Sequence, residues 1–147
     1  RRAIGEILGQ IIKRTGTETI EKELNEKFLD NRPYIIRNLI ELLVFIHNQS
    51  LVILLARLLN NEDADVRSKV VFALGRIGGK DSFQLLARAL EDEDKDICIK
   101  ALKVLGKVGE KTTIDILKKY ASRKDIAIEV AEAIKNIEKR ISEKKEN

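Results

Sequence analysis

Six side chains in the middle of this 147-residue chain have the types and spacing to bind something charged: Lys69, Phe72 and Arg76, then Lys100, Lys103 and Lys107. Spacings of three and four residues place each trio on one face of a helix. Cations beside an aromatic ring suit an acidic peptide or protein surface. A nucleic acid is the second choice, because a duplex demands more phosphate contacts than two trios supply. The flanking positions of the same column read Asn38, Glu41 and Phe45 before the trios and Glu129, Glu132 and Asn136 after them. The basic patch therefore grades into an acidic one. Phe45 joins the candidate set as the second aromatic in an otherwise polar column. The competing reading is a solvated face, since cations toward helix C-termini are what the helix dipole favours on any helix. A second basic column, Arg57, Arg88 and Lys119, reads as a solvated ridge.

Catalytic chemistry finds no foothold. The chain has one histidine, His47, and one cysteine, Cys98, so neither a paired-histidine metal site nor a nucleophile–base grouping can be assembled around them. Carboxylates alone hold hard cations, but the acidic residues sit in turns without an EF-hand loop. Cys98 lies in the first turn of a helix, where the dipole lowers a thiol pKa somewhat. It shares a column with Arg67 and Ala127 and is expected to be part-exposed. No catalysis, cofactor or metal is expected.

Composition bounds the rest. Hydrophobic residues make up 44% of the chain and charged residues 35%, with aromatics at 4%, which fits aliphatic cores under solvated helix faces. A net charge of +4 is mild for this length. No apolar run approaches the ~20 residues of a membrane span, no signal peptide is visible, and the lone cysteine excludes an internal disulfide. A cytoplasmic location without membrane contact is the expectation. The oligomeric state is open.

The elements that position these residues repeat. Val66 to Gly78 returns as Ile97 to Gly109, and Leu54-Leu55-Ala56-Arg57 returns as Leu85-Leu86-Ala87-Arg88, both 31 residues later without a gap. Val66, Val70, Ala73, Leu74 and Ile77 mark one face of a helix. Ile97, Ala101, Val104, Leu105 and Val108 repeat it. So do Ile126, Val130, Ala133, Ile134 and Ile137 after a shift of 29, and Ile35, Leu39, Leu42, Leu43 and Ile46 before it. Residues 1–11 carry a fifth copy. First helices are predicted at roughly 17–29, 50–60, 81–91 and 111–121. Asp65, Asp96 and Asp125 are placed to cap second helices, and Gly78-Gly79 and Gly109 to end them. A fixed period of this length is the signature of a solenoid.

A helix pair of ~30 residues, an acidic turn, and the runs Asp63-Ala64-Asp65-Val66-Arg67 and Ala73-Leu74-Gly75-Arg76-Ile77-Gly78 resemble the HEAT-repeat family, in its short, phycobilisome-lyase-like form. The likeness weakens before residue 50, where Tyr34-Ile35-Ile36-Arg37 replaces the Asp-Val-Arg element and Val44 replaces the helix glycine. The resemblance implies an all-α fold, a right-handed α-solenoid of stacked antiparallel helix pairs with about four to five repeats. It also implies a protein-binding surface lined by second helices, and, by family likeness only, a lyase- or chaperone-like role in chromophore attachment. HEAT-like hydroxylases need paired His-Glu motifs, and HEAT-like glycosylases need aromatics on a basic face; this chain lacks the first and is poor in the second. The whole of 1–147 reads as one array with a polar C-terminal end at 138–147. Its start at Arg1-Arg2, without methionine and in mid-unit, leads us to expect a piece of a longer protein.

Overall fold

Each apolar stripe becomes a helix because the stripe is the only surface the segment can bury. The structure, a computed structural model, describes residue 22 and residues 33–44 and 51–144. Phe45, His47 and the predicted segments 1–11 and 17–29 lie outside the described residues. Seven helices occur among the described residues: α1 (Pro33–Leu43), α2 (Leu51–Leu58), α3 (Ala64–Ile77), α4 (Gly79–Arg88), α5 (Lys95–Val108), α6 (Lys111–Lys118) and α7 (Ala127–Glu143). A 3-10 turn, Ala89–Glu91, follows α4. The first helices end earlier than periodicity predicts, because the chain tightens into turns that satisfy the last carbonyls. Asn61 N–H donates to Leu58 O, and Tyr120 N–H to Leu117 O.

The chain divides into two compact units, ending at Ile77 and beginning at Gly78. In the first, α3 packs on α1 and on α2. In the second, α5 packs on α4, on the 3-10 turn and on α7, while α6 packs on α4 and α7. This is the stacking of helix hairpins that the period implied, second helix on second helix and first on first. The apolar stripes fill the cores: Val66, Val70, Leu74, Ile97, Leu105, Val130 and Ile137 are all buried. The buried arc is wider than the single face read from spacing, taking in Val71, Cys98 and Leu102. A second helix here touches both its hairpin partner and the neighbouring hairpin. Five described second-helix positions predicted as core fall short: Leu39, Ile77, Val104 and Ile134 are half-buried and Val108 is exposed. α1 and the turn after it bury Ile36, Ile40 and Val44, one residue on from the stripe that spacing assigned to it.

Three local expectations are corrected. The caps sit two residues earlier than predicted: Asp63 accepts from Val66 N–H at 3.0 Å, and Asp94 accepts from Asp96 N–H at 2.8 Å. Asp65 and Asp96 fall inside the first helical turn instead, where their charge still favours the dipole. Asp125 caps nothing, since the N-cap of α7 is Ile126 and the Asp125 carboxylate is held by Arg123. Of the helix-ending glycines, Gly78 and Gly79 have φ of 69° and 82°, a backbone that L side chains resist. The polar segment from residue 138 is not all an exit, because α7 runs on to Glu143.

Leu105 is fully buried, so Leu105→Ala is expected to lower unfolding stability by about 2–5 kcal/mol, whereas exposed Lys100→Ala changes it by no more than about 0.5 kcal/mol. Urea denaturation followed by circular dichroism checks both.

Candidate functional site

The predicted basic patch is divided between the units: Lys69, Phe72 and Arg76 belong to α3 of the first, and Lys100, Lys103 and Lys107 to α5 of the second. On α3, Phe72 is 55% exposed and Arg76 is exposed, as their column requires. Lys69 is different. Its Nζ lies 2.5 Å from Glu41 Oε1 on α1, so this cation already has a carboxylate partner in the preceding repeat. Beside it, the Arg37 guanidinium reaches Asp65 at 3.3 Å and Asp63 at 3.7 Å. The helices of the first unit are thus joined by ion pairs across successive repeats, and the basic patch loses Lys69 to that role.

On α5 all three lysines are exposed, and none is paired among the described residues. A groove of about 250 Å³ runs between α5 and α7, lined by Lys103 and Lys107 on one rim and Glu129, Glu132 and Asn136 on the other. Leu102 and Ala133 also line it. The helices draw close here because Gly106 has no side chain: a Cβ added to it would meet the Ala133 Cα at 3.2 Å. One rim is therefore basic and the other acidic. In the repeat register Lys103 stands where Glu41 stands in the first unit, and Glu129 where Lys69 stands. The charges are exchanged, and the pair that closes in the first unit is open in the second.

Two arginines that periodicity did not single out hold the second unit together. Arg140, projecting from α7, donates to the carbonyls of Gly106 (3.1 Å), Lys107 and Gly109, the orphan acceptors at the end of α5. Arg123 donates to Leu90 O within the 3-10 turn, and its ion pair with Asp125, 2.6 Å long, holds that carboxyl below the usual carboxylate range. In the repeat register Arg123 aligns with Asp94 and Asp63, so no column could have flagged it, whereas Arg140 aligns with Lys111 and Lys80, which stand at the starts of α6 and α4. Arg67 could have been found, because the Val-Arg pair follows the acidic turn directly. It is buried and donates to the carbonyls of Asn61 and Glu62 in that turn.

Cys98, in the same column as Arg67, is buried rather than part-exposed. Its thiol points at Leu90 O and Asp92 O, each 3.3 Å away, so it serves the next turn as Arg67 serves the earlier one. Burial pushes its pKa up, helped by Asp92 and opposed by Arg123, and the lowering expected from the helix dipole is overruled. Among the described residues no group of His, Cys, Asp and Glu side chains could hold a metal ion. No described helix is long and apolar enough to cross a membrane.

Stacked helix hairpins whose second helices carry charged outer faces define the helical-repeat class of α-solenoid proteins, which generally act as protein-interaction scaffolds. The family model for HEAT repeats matches residues 51–138, well over half of the chain. The chain belongs to the HEAT-repeat family. No curated protein matches it in sequence.

Removing the carbonyl clamp by Arg140→Ala should cost about 1–3 kcal/mol of stability, read as a lower urea midpoint. For Cys98 the folded pKa lies above the ordinary thiol value of ~8.5. Its contribution to stability is complete below that pH and is lost as pH rises toward the folded value, because only the unfolded thiol ionises there. Urea titrations at rising pH should show this decline in the wild type and a flatter one in Cys98→Ala. Native Cys98 should also react with a thiol reagent about tenfold or more slowly than in urea.

Proposed function

We propose that the chain is an interaction module that binds another protein on the exposed faces of its second helices and catalyses nothing itself. The observation that carries this reading is Phe72. Its ring is 55% exposed on a helix whose buried arc is already complete, so the fold has no need of an aromatic there. Exposed aromatic and arginine side chains are the residue types that anchor protein interfaces, and Arg76 lies one turn further along the same face. Membership of a family of interaction scaffolds supports the same conclusion.

The nucleic-acid reading loses its support at two points. Lys69 is occupied by Glu41, and a strand laid on Lys103 and Lys107 would bring phosphates toward Glu129 and Glu132. A chromophore-attaching role needs a broad apolar cleft, and the groove in the second unit has charged rims. What remains for a nucleic acid is the exposed lysine row of α5.

The test is affinity capture of partners from cell extract, quantified by mass spectrometry. Phe72→Ala should lower recovery of at least one bound protein about tenfold, while Arg88→Ala, on an exposed first-helix position, should leave recovery unchanged. Equal recovery of every protein by wild type, Phe72→Ala and Lys103→Glu would sink the proposal.

A further inference from the structure

The α5–α7 groove carries a more specific message than a basic patch. Its two rims have opposite charge, and the charges do not neutralise each other: Lys103, Lys107, Glu129 and Glu132 make no ion pair among the described residues. The first unit shows that this register closes when geometry allows, since Glu41 and Lys69 meet at 2.5 Å in the equivalent positions. In the second unit about 250 Å³ of open space separates the rows instead. Four unpaired charges facing one another across a narrow groove are complementary to an occupant that carries both signs.

We propose that this groove docks an extended segment of a partner protein in which acidic and basic residues alternate. Its carboxylates meet Lys103 and Lys107, and its ammonium or guanidinium groups meet Glu129 and Glu132. The inference rests on the interaction reading above and names the chemistry of the partner. Spacing supports the extended form. Lys103 and Lys107 are four residues apart on a helix, a rise of about 6 Å. Every second side chain of an extended strand is about 6.6 Å from the last on the same side, and the intervening ones point to the opposite side. One strand therefore presents alternate residues to the two rims in step with α5. Asn136, at the same rim as the glutamates, has an amide that both donates and accepts, as a peptide backbone requires.

Uniform charge fits poorly. A polyacidic peptide or a nucleic-acid strand gains from the lysine row but meets the glutamates, at a cost of about 1 kcal/mol per like pair at 4 Å even in water. The sequence-based preference for an acidic partner is thereby narrowed to a mixed-charge one.

The experiment uses the full 147-residue chain and four labelled probes at low ionic strength, read by fluorescence anisotropy. The probes are an alternating Glu-Lys peptide, a peptide of the same composition with glutamates and lysines in separate blocks, an all-Glu peptide, and a single-stranded oligonucleotide. The alternating peptide should bind at least about tenfold more tightly than the other three. K103E/K107E and E129K/E132K should each abolish that advantage. The fourfold variant K103E/K107E/E129K/E132K should restore it, because an alternating peptide fits a reversed groove after a one-residue shift. Circular dichroism melts confirm that each variant is folded. Equal binding of alternating and block peptides, tighter binding of the all-Glu peptide or oligonucleotide, no binding at all, or failure of the fourfold rescue would each overturn the proposal. The interaction reading fails separately: partners captured from extract and lost only with Phe72→Ala would leave it standing without the groove.

Discussion

A two-helix repeat of this length has too little apolar surface to fold alone, so every second helix must be buried from two sides at once. In the second unit that constraint is met where α5 lies between α4 and α7. Leu105, Ala101 and Leu102 are buried together on α5, and the glycine at 106 lets the backbone of α7 approach at Ala133. The close approach fixes the register of the two helices. Register in turn decides which outer side chains face one another, so the groove between Lys103/Lys107 and Glu129/Glu132 is a consequence of how the core packs.

Burying helices on two sides leaves their ends and turns with carbonyls that water reaches poorly. The chain supplies a donor for each by a different residue. Arg67 serves the turn before α3, Cys98 and Arg123 serve the turn before α5, and Arg140 serves the end of α5. An arginine in one repeat and a thiol in the next occupy one column and do one job. A buried cysteine with a raised pKa is therefore a structural donor here, and its chemistry is suppressed by the same burial that makes it useful. The turns also explain the displaced caps: Asp63 and Asp94 reach the first helical N–H groups, while Asp65 and Asp96, already helical, cannot.

The charged column shows how a repeat diversifies. Core columns that stay aliphatic keep successive hairpins stacked, and the outer column is free of that demand, so it changes from repeat to repeat. Glu41 and Lys69 use it to join α1 to α3. Lys103 and Glu129 hold the same positions with exchanged signs and stay apart. Phe72 breaks the polar pattern altogether, more than half exposed. A surface that varies over a core that does not is the physical basis on which repeat proteins acquire partners.

Much was legible in the residues alone. The period of 31 and the apolar spacing of Val66, Val70 and Leu74, returning at Ile97, Ala101 and Leu105, determined the helices, their pairing and the family, because burial of a stripe is a local property of spacing. The exposed column with Phe72, Arg76, Lys100, Lys103 and Lys107 followed from the same alignment. What needed the tertiary structure were the relations between residues about thirty apart: Lys69 claimed by Glu41, Arg123 by Leu90 O, Arg140 by the carbonyls ending α5, and two rims of opposite charge left unpaired. Periodicity says which face a side chain occupies. Only packing sets the distance to its neighbour on the next helix, and the outcome of a charge pair or a carbonyl clamp turns on that distance.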